Sequence, residues 1–326
     1  MAQIGISPFG RTEAGAAVSR ITLGSGRLTA SILTYGSILQ SVRLDGVAHD
    51  LTLGSDRLED YEGPMHYHGA LVGPVANRIK GARAVIDGRE HRFDANQNGQ
   101  HLLHSGALGT HARVWRLAEV TDTACTLTLM LADGEGGFPG NRRVSARWSV
   151  ERPATLRLEV TVTTDAPTLV NFCNHSYWNL DGTPTWEGHR LKIAADAVTA
   201  VDADLIPTGE TPSVSGTPLD MRAGRTIGPG NPAMDTNWCL GPGRESLRDV
   251  LWLTGARGVA MTIATTEPGM QVYDGRAAIR PGHGAYEGLA IEPQVWPDAP
   301  SHPHFPQITL RPGETYAHHS EWRFEG

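Results

Sequence analysis

Cysteine is the first shortage. Cys125, Cys173 and Cys239 are an odd number at wide spacing with no Cys-x-x-Cys pair, so neither a disulfide framework nor a thiolate zinc site is expected. Long apolar runs are missing too, and nothing approaches the roughly 18 uninterrupted apolar residues of a membrane span. Residues Met1 to Pro8 lack a basic stretch followed by an apolar one, so no secretory leader and a cytoplasmic location are expected. Basic residues are outnumbered, 28 Lys plus Arg against 35 Asp plus Glu, and the net charge of −7 leaves no electrostatic footprint for nucleic acid or an anionic membrane. Several catalytic signatures are absent as well: there is no phosphate-binding G-x-x-x-x-G-K-[ST] loop, no G-x-S-x-G elbow and no H-E-x-x-H helix. The glycine-rich run from Gly134 to Gly140 contains a proline and precedes no helical pattern, so it reads as a hairpin connection.

Glycine and proline, by contrast, are plentiful. Their 38 and 21 copies make about 18% of the chain against an average near 12%, and they are dispersed, as turn punctuation is. Between them, period-two alternation recurs. Val144, Ala146, Trp148 and Val150 alternate with polar residues, and after a turn at Arg152-Pro153-Ala154 so do Leu156, Leu158, Val160 and Val162. That pattern predicts a hairpin with one wall on a core and one in water. Cys125, Leu127, Leu129 and Leu131 repeat it, as do Leu28, Ala30 and Ile32. The longest stretch free of Gly and Pro, 110 to 133, divides into two strand-like halves around Thr121-Asp122-Thr123. The expectation is an all-β protein, a large antiparallel β-sandwich in one domain over residues 1–326.

Chemistry is sought where polar residues interrupt apolar strand patterns. In Leu169-Val170-Asn171-Phe172-Cys173-Asn174-His175-Ser176-Tyr177-Trp178, alternation puts Asn171, Cys173 and His175 on one face, and polar groups buried there need partners. Taken alone, His175 reads more readily as a satisfied core histidine. In Gly288-Leu289-Ala290-Ile291-Glu292-Pro293-Gln294, a glutamate follows three apolar residues and shares a face with Gln294. An apolar pocket would raise its pKa toward the range of a general base, while Pro293 points to an edge or the end of a strand. Asn77-Arg78, His104 at a turn, Asp235 near the ring of Trp238, and Gln271 aligned with Tyr273 are the equipment for gripping a neutral polyol. The 14 histidines include His66-Tyr67-His68, His302-Pro303-His304 and His318-His319, but no closed ligand set emerges; these read as surface or turn residues, and no metal is expected.

Read together, Gly73-Pro74-Val75-Ala76-Asn77-Arg78-Ile79, Leu103-His104-Ser105-Gly106, Gly137-Phe138-Pro139-Gly140, Asn174-His175-Ser176-Tyr177-Trp178-Asn179-Leu180, Met234-Asp235-Thr236-Asn237-Trp238 and Ile291-Glu292-Pro293-Gln294 with Pro297-Asp298-Ala299 resemble the galactose mutarotase (aldose 1-epimerase) family. The resemblance implies a supersandwich fold and interconversion of the α and β anomers of a free monosaccharide, without cofactor, by a monomer or homodimer. It puts Glu292 at the family's base and His175 at its acid, with Arg78, His104, Asp235, Gln271 and Asn77 as substrate-binding residues. Three departures bear on the choice of sugar: Ser105 stands where glycine is usual, Pro74 where arginine is frequent, and Tyr273-Asp274-Gly275-Arg276 where Tyr-Thr-Gly-Asn is usual. A hexose-6-phosphate epimerase, with Arg83 or Arg276 gripping the phosphate, a sugar-binding protein without activity, and a glycosidase using Glu292 and Asp235 are the competing readings.

Overall fold

The computed structural model describes residues 4–326. The alternation over 143–163 becomes the spine of a nine-stranded antiparallel sheet, in which Arg142–Glu151 and Thr155–Thr164 pair without a break from Glu151 opposite Thr155 to Arg142 opposite Thr164. Ala124–Leu131 and Arg116–Val120 extend the sheet on one side, on either side of the turn expected at 121–123. On the other side Tyr316–Glu325 lies directly against Thr155–Thr164, followed by Ala260–Thr265, Arg248–Thr254, Arg190–Ile193 and Arg225–Thr226. The glycine-rich run closes the hairpin between Ala124–Leu131 and Arg142–Glu151 through a short 3-10 turn, as expected. Its Phe138 turns inward and stacks on Phe93 with ring centres 4.4 Å apart.

Two smaller sheets complete the sandwich. One has four strands, Gly5–Arg11, Ala17–Ser25, Leu28–Leu33 and Ile38–Leu44. The other has five, in the spatial order Tyr177–Trp178, Leu289–Gln294, Gly269–Tyr273, Asp235–Cys239 and Ala197–Val198. A contiguous core joins all three sheets, with Ile21 and Ile32 from the first, Trp148, Leu158, Ile263 and Trp322 from the large sheet, and Trp238, Met270 and Ile291 from the five-stranded one. The fold is the antiparallel sandwich expected. Among the described residues the single α-helix is the five-residue Leu58–Glu62, and no helix is long and apolar enough to cross a membrane.

Of the two places expected for Pro293, the structure shows the end of a strand, one residue before Gln294. Its strand is not an edge, because Leu289–Gln294 lies between two neighbours. On one flank, however, Tyr177–Trp178 reaches no further than Ala290 and Leu289. The Ile291 N–H points to that flank, toward the Ser176 carbonyl, and the nitrogen two residues on points the same way, past the end of the short neighbour. Proline therefore sits where no ladder bond is forfeited.

Candidate active site

The five-stranded sheet has two unlike faces. Residues opposite one another in an antiparallel ladder share a face, so the register sorts them. Leu289, Ile291, Met270, Val272 and Trp238 face the core. On the other face Asn237, Gln271 and Glu292 form one row, and Asp235, Tyr273, Ala290 and Tyr177 form the next. That second face is the floor of a cavity of about 330 Å³. The size lies at the small end for ligand pockets, suited to one sugar ring. Its opposite wall comes from the turns that carry Tyr67 and His68, Asn77 and Arg78, and His104. All seven residues expected at a site (Glu292, His175, Arg78, His104, Asp235, Gln271 and Asn77) line this one cavity.

Their local backbone explains the placement. Asn77 (φ 61°) and His104 (φ 51°) both adopt left-handed backbone, rare outside glycine and typical of strained functional turns. His104, Ser105 and Gly106 do so consecutively. Ser105 turns away from the cavity, accepting from the Val75 N–H (2.8 Å) and donating to the Val75 carbonyl (2.9 Å), so the departure at this position braces the turn.

At the centre, His175 Nε2 lies 3.5 Å from Glu292 Oε1, and both side chains are buried. Cys173 Sγ lies 3.2 Å from the other carboxylate oxygen. Asn171 completes the face expected from alternation: its amide accepts from the Val295 N–H (2.9 Å) and donates to the Val295 carbonyl (3.3 Å). Nearby, Gln271 donates to Asp235 at 2.6 Å, Arg78 approaches the other Asp235 oxygen at 3.5 Å, and Gln97 holds the Arg78 Nε at 2.8 Å.

Burial governs the protonation of this pair. It pushes Glu292 up to about 8, with the Cys173 thiol pulling in the opposite direction and Asp235 adding to the rise. It also pulls His175 down to about 4. At neutral pH the pair therefore carries one proton. Desolvation favours neutral carboxyl and neutral imidazole, and transfer of that proton from Glu292 to His175 yields a carboxylate beside an imidazolium with no change in net charge.

His104, His175 and Glu292 offer ligand atoms within 4.8 Å of one another, close enough to raise the question of a metal. His104 answers it through its tautomer. Its Nδ1 accepts the Asn77 N–H at 3.2 Å, so in the neutral ring Nε2 bears the proton and faces the cavity as a donor. A donor nitrogen suits a sugar oxygen and not a cation.

Of the aromatic wall only Tyr273 was singled out from the sequence; Tyr67 and Tyr177 were not. Trp238, three residues from Asp235, falls on the core face; the rings that enclose the cavity belong to Tyr67, Tyr177 and Tyr273. His68 is buried and stacks on Tyr177 with ring centres 4.2 Å apart, and His318 is buried against Ser320 and the Phe172 carbonyl, so neither is a surface histidine. The spacing of His66-Tyr67-His68 was visible, but only the contact of Tyr67 with His104 and His175, and of His68 with Tyr177, reveals the segment as a cavity wall. A larger groove of about 1010 Å³ runs along the four-stranded sheet, and pairs such as Arg20–Asp56, Arg43–Asp50 and Arg280–Glu287 already satisfy its charges.

Comparison with known proteins decides the family. The sequence pattern of the Aldose 1-epimerase family matches residues 19–323. The chain belongs to the aldose 1-epimerase family. It is similar to the galactose mutarotase of Bos taurus, 34% identical with 97% of each chain covered, and to the aldose 1-epimerase of Escherichia coli K12, 30% identical with 91% of this chain and 92% of that one covered. Among solved structures, a GalM/aldose epimerase homologue from C. elegans superposes with a TM-score of 0.87 at 28% identity, covering 95% of this chain and 99% of that one. The enzyme is thus an isomerase acting at the anomeric carbon of an aldose. The phosphate-gripping alternative finds no support: Arg83 and Arg276 do not line the cavity, and they are turned to Glu90 and Asp274.

Proposed function

We propose that Glu292 and His175 interconvert the α and β anomers of a free hexose of the galactose or glucose type by opening and reclosing its ring. The observation that carries this reading is their 3.5 Å approach inside a small half-open cavity, with one proton between them at neutral pH. Glu292 as carboxylate takes the proton from the C1 hydroxyl while His175 as imidazolium gives one to the ring oxygen. The C1–ring oxygen bond breaks, O1 becomes the aldehyde oxygen, and the ring oxygen becomes a hydroxyl. Rotation about C1–C2 presents the other aldehyde face, and the two residues reverse roles on reclosure. Arg78 and the Nε2–H of His104 donate to hydroxyls, while Asp235, Gln271 and Asn77 accept from them or orient Arg78. Hemiacetal opening transfers no electrons and breaks no carbon–carbon bond, so the reaction calls for no cofactor. All these groups come from one chain, so a monomer suffices, and three unpaired cysteines suit the cytoplasm.

Polarimetry on a freshly dissolved single anomer tests the reading. Glu292→Gln should slow equilibration by at least about 100-fold, the lower value of one positioned proton transfer, with unchanged circular dichroism. A variant that keeps the parental rate overturns it. Offered as a pair, the free hexose should be preferred to its 6-phosphate.

A further inference from the structure

We infer that Cys173 is a positioning residue for this reaction: its thiol donates to Glu292 Oε2, fixing the carboxylate so that Oε1 faces His175 and the sugar. This inference rests on the reading of Glu292 as the base. Three observations carry it. The Sγ–Oε2 distance is 3.2 Å with both groups buried, and Cys173 does not line the cavity, so its contact is with the carboxylate and not with the substrate. Residues 171, 173 and 175 form a comb in which Asn171 grips both backbone groups of Val295, Cys173 holds Oε2 and His175 faces Oε1, so the thiol meets the carboxylate from a fixed base. The comb is itself anchored from the large sheet, since Tyr316 Oη accepts the Phe172 N–H at 2.9 Å and His318 Nδ1 bonds the Phe172 carbonyl at 3.2 Å.

The chemistry follows from what surrounds Glu292. His175 and Cys173 face it from one segment, Asp235 and Gln271 from neighbouring strands, and Arg78, His104 and Tyr177 from the cavity walls. Asp235 disfavours the carboxylate and Arg78 favours it, while the thiol supplies the one hydrogen bond to the Glu292 carboxylate among the described residues. A donor to the charged form stabilises that form, so the thiol eases transfer of the shared proton onto His175. Burial and the adjoining carboxyl hold Cys173 well above the ordinary thiol range, so it stays protonated and remains a donor.

Paired substitutions separate donation from packing. Cys173→Val loses the donor and enlarges the side chain by about one methyl group; Cys173→Ser keeps a donor and shrinks it, so only the loss of the donor sets the valine variant apart in kind. The expected result is a fall in kcat of about tenfold for the valine variant, the size of one lost hydrogen bond to a charged group. Its KM should be unchanged and the alkaline limb of its pH–rate profile displaced upward, with most of the rate recovered in the serine variant. A valine variant with parental kcat and pH profile, or a serine variant more impaired than the valine one, overturns the inference. Glu292→Gln run alongside keeps the two readings apart: if it abolishes activity while Cys173→Val keeps the parental kcat and pH profile, only the role of the thiol falls, and if Glu292→Gln retains activity the assignment of the base falls with it.

Discussion

A carboxyl and an imidazole, buried 3.5 Å apart with a single proton between them, make a device whose activity depends on that proton count. Below about 4 the pair gains a second proton and has no base; above about 8 it loses its only proton and has no acid. The rate of anomer equilibration should therefore follow a bell with a broad top between these limits, and a profile with a single limb near 6.5 contradicts the pairing. The same carboxyl burdens the fold. Its folded pKa lies above its unfolded one, so between about 4.5 and 8 the folded state holds the extra proton and stability contributed by this group falls as pH rises. Glu292→Gln should consequently melt about 2–4 °C higher than the parent at pH 8, and by less at pH 5. Alternation singled out Glu292 and His175 as polar residues in apolar strands and no more; the roles of base and acid came from the family resemblance. Trp238 was misjudged because adjacency along the chain hides the alternation that sends it to the core, and Tyr67 and His68 were missed because their turn meets the site only in three dimensions.

Elements differ in how far sequence reaches them. The hairpin of Arg142–Glu151 with Thr155–Thr164 was readable from alternation, since ten residues a side leave one face for the core. The segment from Asn171 to Trp178 was not readable as an element. It forms only the two-residue strands Cys173–Asn174 and Tyr177–Trp178, and groups far away in sequence hold it: the Tyr316 hydroxyl at Phe172, and the Val295 backbone through the Asn171 amide. Such anchorage can be tested. Tyr316→Phe removes the acceptor for the buried Phe172 N–H while leaving the ring beneath Arg244. Urea unfolding should show a loss of about 1–3 kcal/mol, the cost of an unsatisfied buried amide. Because that segment carries His175, kcat should fall while KM changes little.

At the scale of the molecule, composition and turn frequency were enough for an antiparallel sandwich, but strand order was not available from them, because pairing between distant strands leaves no periodic trace. The order has one uncommon feature: Tyr316–Glu325 is inserted between Thr155–Thr164 and Ala260–Thr265, in the middle of the nine-stranded sheet. Trp322 and Phe324 from this strand enter the common core. A chain shortened to residue 314 would expose two bare sheet edges and should be insoluble, or lack a cooperative thermal transition by calorimetry. The order also sets a timetable for synthesis. While the ribosome is still adding residues before 316, the two halves of the large sheet lack the strand that pairs with both, and the seam stays open. A nascent chain of this enzyme should therefore bind chaperones until the seam is filled, and a nonsense codon anywhere before that strand should abolish the protein altogether.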